Sequence, residues 1–453
     1  MKTIFITIFQ GVEAKNILRT DIYRHLLESS DVRIVFFVKN QERADYYRRE
    51  FSHPRVSYEV VDGIKTSFTE RLFSVLKFQL IHAETLDLRR RMHWEEGGSA
   101  LGYALGTVCN RLFAHRPIRR FVRWLDERLV SENTFDRFFE KYRPDLVFLA
   151  HLFDDVETSF IRTAKRFNVR TLGFVNSWDK LTARCMIRIL PERLIVYSGI
   201  VKAEAMELAD MPAQKIIVAG IPQFDRYVNG PTIPREAFLK RLGFPPQSRF
   251  FVYAPLGRTF SNSDWEVIDL LHHWLTARRL GPNLEMLVRF QPNDFLDWEE
   301  IRLRPWLRYD YPGKRFSSER GVDWDMADEE LEHLTNTLAH VSLLVCYASS
   351  LSVDAAVFDK PIINIGFEIK PAKLMSKSPT HYYGMTHYRK ALASGGIRLV
   401  KDQEELLHWI RRYLEDPSLD RESRLRLVAE QCGVMDDKAG ERIASVILSA
   451  LRG

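Results

Sequence analysis

Ser349, Ser350 and Ser352, with Asp354 two residues on, stand between two short apolar runs, Val341 to Tyr347 and Pro361 to Phe367. Residues of these types at this spacing suit phosphate and ribose recognition. Hydroxyls at a helix start cap free backbone N–H groups where the helix dipole is positive, and such an end takes phosphate readily. With Ser350 as the cap, Asp354 falls about one turn further along, within reach of ribose hydroxyls. The plainer alternative is a crossover helix whose serines only cap and whose aspartate is solvated.

A second group of residues suits proton transfer. Asp179 follows Trp178, and Asp154, Asp155 and Glu157 follow the apolar run Leu146 to Leu149. A carboxylate whose pKa is raised by partial burial can take the proton from an attacking hydroxyl. Asp179 is the first choice as base, with Asp154 and Asp155 as the second set. The alternatives are a helix cap for Asp179 and solvated loop carboxylates for the others. Arg258, Arg289 and Gln291 stand at further strand ends, where fixed donors would stabilise a departing nucleoside diphosphate. Surface ion pairs would use the same arginines. Gly11 either lets backbone approach an acceptor beside Trp178 or allows a tight turn. His381 and His387 lie in a stretch read as a loop able to close over donor, or as ordinary packing. Asp323-Trp324-Asp325 has the look of a metal-binding Asp-x-Asp, but its place before a helical pattern reads as a helix start. No metal and no cofactor are expected.

These residues need strand ends to hold them. Apolar runs at Thr3 to Phe9, Val32 to Val38, Val56 to Val61, Leu146 to Leu149, Val169 to Val175 and Arg193 to Tyr197 alternate with helical patterns, which implies a parallel doubly wound sheet. Proline and glycine between Tyr227 and Arg249 mark a boundary, after which the alternation restarts. The fold expected is therefore α/β, two Rossmann-like doubly wound domains facing a cleft. The first spans 1–228, with a helical insertion at about 66–130, and the second spans 246–430. Residues 431–453 form a C-terminal helix bracing the first domain. The insertion carries arginines and aromatics, so it either lies on an anionic membrane surface or packs on the core with a solvated basic face.

Bulk properties narrow the classes. The 453 residues hold 66 Lys+Arg against 60 Asp+Glu, a net +6 too small to argue for nucleic acid. Four scattered cysteines read as free thiols in a reducing compartment. The opening apolar run is too short for a signal peptide, and no run approaches the roughly 20 residues of a membrane span. A cytoplasmic location is expected, with peripheral contact at the inner membrane face as the membrane option.

Read in order, the strand ends give Asn176-Ser-Trp-Asp179, Gly220-Ile-Pro-Gln-Phe-Asp225, Tyr253-Ala-Pro-Leu-Gly-Arg258, Gln291-Pro292 and Cys346-Tyr-Ala-Ser-Ser350. Over roughly residues 170 to 370 this series resembles the GT-B superfamily of glycosyltransferases, in particular the envelope-polymer transferases related to the CDP-glycerol glycerophosphotransferases. The resemblance implies a nucleotide-linked donor held by the second domain and an acceptor brought by the first. In that family a Trp-His pair carries the proposed base and a His-Pro pair a second histidine; here Asp179 and Gln291 stand in their places. These replacements favour transfer of a sugar from a nucleotide-sugar donor to an envelope glycan or lipid-linked acceptor. Glycerophosphate transfer, sugar-nucleotide epimerisation and a non-catalytic nucleotide-binding subunit are the alternatives.

Overall fold

The computed structural model describes residues 1–61, 67–316 and 324–452. Thr66, at one end of the expected insertion, and Asp323 lie outside the described residues.

The first unit comprises Met1–Trp94, Gly98–Asp225 and Cys432–Gly453. Its strands are β1 (Lys2–Ile8), β2 (Val32–Val38), β3 (Val56–Val60), β4 (Leu146–Leu149), β5 (Arg170–Phe174), β6 (Arg193–Val196) and β7 (Ile216–Val218), ordered β3-β2-β1-β4-β5-β6-β7. All pairings are parallel, with Lys2 opposite Val32 on one side of β1 and Ile4 opposite Leu146 on the other. Six consecutive residues of β1 are buried, which is why this strand reads as an unbroken apolar run. On one face of the sheet, Phe5, Phe37, Phe138 and Phe160 meet edge-on at centroid distances of 4.7 to 5.2 Å.

Between β3 and β4 lie helices Phe68–Leu76, Glu84–Glu95, Ala100–Phe113 and Arg116–Leu129. A buried ionic network ties them down. Arg188 reaches Asp126 at 2.8 Å, Asp155 at 3.0 Å and both oxygens of Glu70. Arg162 adds a second contact to Asp126, and Arg119 and Arg123 both bind Asp210. Burial alone would lower the Arg188 pKa, but Asp126 and Glu70 outweigh it and hold the guanidinium firmly charged. Helix Ala100–Phe113 is attached differently. Its one buried residue is Asn110, which donates to the carbonyls of Gln79 and Ile81.

Helix Ala439–Arg452, at the far end of the sequence, packs against β4, β5 and the helix Asp21–Glu28. Asp225 caps it by accepting from the Ala439 and Gly440 N–H groups at 3.1 and 2.8 Å. The aspartate of the Gly220-Ile-Pro-Gln-Phe-Asp225 turn is thus a cap within this unit.

The second unit comprises Glu95–Gly97 and Arg226–Gln431. Strands β8 (Arg249–Ala254), β9 (Leu284–Arg289), β10 (Tyr309–Asp310), β13 (Leu344–Cys346), β14 (Ile362–Ile365) and β15 (Arg398–Val400) form a parallel sheet ordered β10-β9-β8-β13-β14-β15. A small antiparallel pair, β11 (Lys314–Arg315) and β12 (Trp324–Asp325), stands apart from it. This corrects the helix-start reading of Trp324 and Asp325, because the helix begins at Asp328. The stretch carrying the two histidines also differs from a loop. Pro379–Gly384 is a 3₁₀ turn, and His387 is buried in helix Thr386–Ala393.

Replacing Arg188 with Ala would leave Asp126 and Glu70 buried without their main cation. A loss on the order of 3 to 5 kcal/mol is expected in urea unfolding of the full chain. A change under 1 kcal/mol would show that the network does not anchor the insertion.

Candidate functional site

Open parallel sheets bind ligands at the carboxyl ends of strands where the strand order reverses. In the first sheet that point lies between β1 and β4, and in the second between β8 and β13.

At the first point, Gln10 ends the segment after β1 and Gly11 opens helix Gly11–Ile17. Gly11 is therefore a buried helical residue, and the expected tight turn is absent there. Glu13, fully buried, accepts from the backbone N–H of Phe9 at 2.5 Å and of Gln10 at 3.0 Å. The Gln10 side chain donates to Asp154 at 3.1 Å. Behind Asp154 lies His151, whose Nε2 is 2.9 Å from the Lys180 ammonium and whose Nδ1 is 3.7 Å from the Asp154 carboxylate. Burial, then Lys180, Arg184 and Lys77, push His151 well below the ordinary histidine range, so it is neutral. Nδ1 also accepts from the Phe153 backbone N–H at 3.3 Å.

Two buried carboxyls complete the cluster. Burial raises Glu13 to about 7, against the opposing pull of its two backbone donors and Lys180. Glu157 is raised well above the ordinary range by burial and by the charges of Asp154 and Glu13, and neither of its oxygens has a hydrogen-bond partner among the described residues. Ligand atoms of Glu13, His151 and Glu157 lie within 4.8 Å of one another, close enough for a cation to bridge. The Lys180 ammonium already stands against His151 on this cluster.

The expected bases fall into different settings. Asp154 has a half-exposed side chain held by Gln10. Asp179 is partly exposed and accepts from Ser177 at 2.5 Å, next to half-buried Trp178. Asp155 is a correction to the expectation: its carboxylate is taken up by Lys77 at 2.8 Å, Ser74 at 2.7 Å and Arg188. Burial would raise its pKa, but Lys77, Ser74 and Arg188 more than offset this and keep it below the usual range. It anchors the insertion.

In the second unit, β13 leads to Ser349 and Ser350, and Ser350 is the exposed N-cap of helix Leu351–Val357. Ser349 Oγ accepts from Leu351 N–H, and Ser349 N–H is held by the Tyr388 hydroxyl. Beneath the turn, Tyr388, Asn364, Ser352 and Cys346 form a buried polar knot, with the Tyr388 hydroxyl donating to Asn364 at 2.6 Å. Ser352 therefore faces protein, and Asp354, also buried, accepts from Tyr227 at 2.7 Å. Arg289 is likewise engaged, in a buried pair with Asp310 at 2.9 Å that His333 joins. Ser352, Asp354 and Arg289, all expected at the donor, support the turn and the sheet in this structure.

Arg258 and Gln291 instead line an open cavity of about 280 Å³ at the ends of β8 and β9. Gln291 donates to Leu256 O, and Arg258 is exposed at the rim. The floor is built by Asp264, which accepts from the Tyr253 hydroxyl and the Leu256 and Gly257 N–H groups. Gly257, with φ +90, has no room for a Cβ, which would fall 2.0 Å from an Asp294 oxygen.

Glu13, His151, Lys180, Asp264, Asn364 and Tyr388 were not among the expected residues. Polar residues placed directly after β1 and β4 were the only signal for the first two, and nothing in the sequence pointed to the burial that gives them their properties.

Residues 194–449, more than half of the chain, match the family described as CDP-Glycerol:Poly(glycerophosphate) glycerophosphotransferase. The chain belongs to that family. No curated protein sequence matches it. Among solved structures this glycerophosphotransferase-family chain is similar to the UDP-GlcNAc 2-epimerase of Neisseria meningitidis, solved with UDP-GlcNAc (11% identity, TM-score 0.58, 99% of this chain and 100% of that one). It is also similar to S. aureus MnaA, solved with UDP (10% identity, TM-score 0.53, 100% and 97%). A third likeness is the wall teichoic acid polymerase TagF (12% identity, TM-score 0.50, 100% and 88%). These likenesses show a shared GT-B fold of two Rossmann-like units.

Glu13→Gln is expected to flatten the pH dependence of stability. A carboxyl raised to about 7 in the folded chain, from 4.5, contributes stability that is complete below about 4.5 and lost as pH rises through 7. Melting temperatures of wild type and variant should therefore diverge between pH 4.5 and 7.5. Parallel curves would sink the assignment.

Proposed function

We propose that the chain transfers a sugar from a nucleotide-sugar donor to a hydroxyl of an envelope glycan or lipid-linked acceptor, with a carboxylate base and no metal. The observation that carries this reading is the half-exposed Asp154 at the reversal point of the first sheet, backed by neutral His151, Lys180 and two buried carboxyls. Asp154 takes the acceptor proton as the acceptor oxygen bonds to the anomeric carbon. The bond from that carbon to the diphosphate oxygen breaks, and its electron pair leaves with the nucleotide. Asp179 is the alternative base. An Asp154 carboxylate would be accommodated because burial favours the protonated forms of Glu13 and Glu157 behind it and Lys180 supplies positive charge, so this reading needs no divalent ion.

On the donor side, Ser349, Ser350, Arg258 and Gln291 would hold the diphosphate, and the cavity floored by Asp264 would receive part of the donor. A second reading, transfer of glycerol phosphate, is favoured by the family itself. Against it stand Asp179 and Gln291 at the places where that family carries histidines. An epimerase would consume a UDP-sugar without acceptor, and a binding subunit would turn over nothing.

The insertion supports an acceptor at a membrane surface. Phe68, Leu72 and Val75 form one exposed stripe, and Leu101, Leu105, Val108 and Leu112 another along helix Ala100–Phe113, with Phe121 and Trp124 exposed on the next helix. Between Gly97 and Leu125 the chain has no carboxylate, and its exposed arginines are Arg111, Arg116 and Arg120. Apolar stripes flanked by cations suit the interface of an anionic bilayer. No described helix is long and apolar enough to cross one.

Asp154→Asn and Asp179→Asn should each be assayed with UDP-, GDP- and CDP-linked sugars and with CDP-glycerol. A fall of about 100-fold or more in kcat for one variant with a sugar donor is expected. Unchanged turnover in both discards the base assignments, and turnover of CDP-glycerol alone replaces glycosyl by glycerophosphate transfer. Vesicles of 70% phosphatidylcholine and 30% phosphatidylglycerol should co-sediment the protein, and Leu101→Ser/Leu105→Ser/Leu112→Ser should reduce this at least tenfold. Equal sedimentation of variant and wild type would reject the surface.

A further inference from the structure

The second unit carries a larger cavity, of about 670 Å³, on the opposite edge of its sheet. Its wall is built from the residues that enter β8, β13 and β14, at the amino ends of those strands, while Ser350 and Arg258 follow their carboxyl ends. Arg235, Arg249, Lys360 and Arg421 line it, with Asp359 as the lining carboxylate, so four cations against one anion leave a net +3. His340 also lines it, and burial lowers its pKa, so it adds no charge near neutral pH.

Helix C-termini attract cations, and part of this wall is explained in that way. Arg249 donates to the Leu414 carbonyl at 2.7 Å, near the end of helix Gln403–Glu415. Arg421 pairs with Asp359 at 2.9 Å, and that carboxylate is shared with Arg424. Two cations remain. Among the described residues the Arg235 side chain donates to the Ser248 carbonyl alone, and the Lys360 ammonium has no hydrogen bond or ion pair. Lys360 is half-buried, and its pKa is lowered by burial, with Arg235 adding to the effect against Asp359. Cations held together in partly dry surroundings cost free energy that an anion would recover.

We propose that this cavity is a second binding site, for a small multiply charged phosphate, with Lys360 and Arg235 as its principal contacts. The volume suits a compact ligand. The site is separate from the transferase machinery and does not depend on the reading given above. A free oligophosphate and the phosphates of a nucleotide would satisfy the same groups.

Titration calorimetry of the full chain with inorganic pyrophosphate, at fixed ionic strength to hold screening constant, tests this. Lys360→Gln is expected to weaken pyrophosphate binding by about tenfold, and Arg235→Gln/Lys360→Gln further, with unchanged melting temperature and unchanged turnover when no phosphate is added. A parallel titration with CDP identifies the source: a larger Lys360-dependent effect than with pyrophosphate points to nucleotide, an equal or smaller one to phosphate alone. No pyrophosphate binding by wild type, or equal binding by wild type and Lys360→Gln, overturns the proposal.

Discussion

Arg188 is a cation removed from water, and the first unit is organised around making that tolerable. Glu70 comes from one insertion helix, Asp126 from another, and Asp155 from the start of the helix after β4. None of these groups can leave without stranding the others, since an uncompensated buried charge costs several kcal/mol. The network works beside apolar packing, since Leu80, Ile81, Ala83 and Leu86 join the core of the first unit. Other apolar residues of the insertion stay outside. Helix Ala100–Phe113 shows this most clearly, with Asn110 as its single buried residue and a row of leucines outside.

The same network reaches the candidate site. Asp155 is committed to Lys77 and Arg188, and Asp154 beside it is left half-exposed, held by Gln10 with His151 behind it. Adjacent carboxylates thus acquire different properties from their partners. Behind them, burial rather than neighbouring charge dominates, keeping His151 neutral and raising Glu13 and Glu157. One switch point thus brings together a half-exposed carboxylate, a neutral imidazole and two buried carboxyls with raised pKa, a difference in setting that the proposed acid–base chemistry would use.

The architecture was legible because parallel strands buried on both faces leave an unmistakable apolar trace, as in β1 and β2. The short edge strands β7, β10 and β15 were not, since two or three residues carry no periodicity. The serine turn was readable as a strand-to-helix bend. What could not be read was which of its residues face inward: Ser352 and Asp354 are consumed by Tyr388 and Tyr227, partners 36 and 127 positions away. For Arg289 the ion-pair alternative is the one seen, and its partner Asp310, on a neighbouring strand, could not be read locally. Glu13 was passed over because its character arises from complete burial, a property no local pattern displays. The replacements at Asp179 and Gln291, by contrast, were visible at once, because they depend only on residue identity within a motif.

The cap that Asp225 places on helix Ala439–Arg452 carries a consequence for biogenesis. The element that covers β4 and β5 leaves the ribosome only after every residue of 226–431 has been made. During synthesis the amino-terminal sheet waits with part of its surface bare, whereas the unit formed by 226–431 already has its own strands and helices in hand. The amino-terminal sheet is thus covered only after the second unit has been made, and a chain released before Ala439 would leave β4 and β5 without this helix.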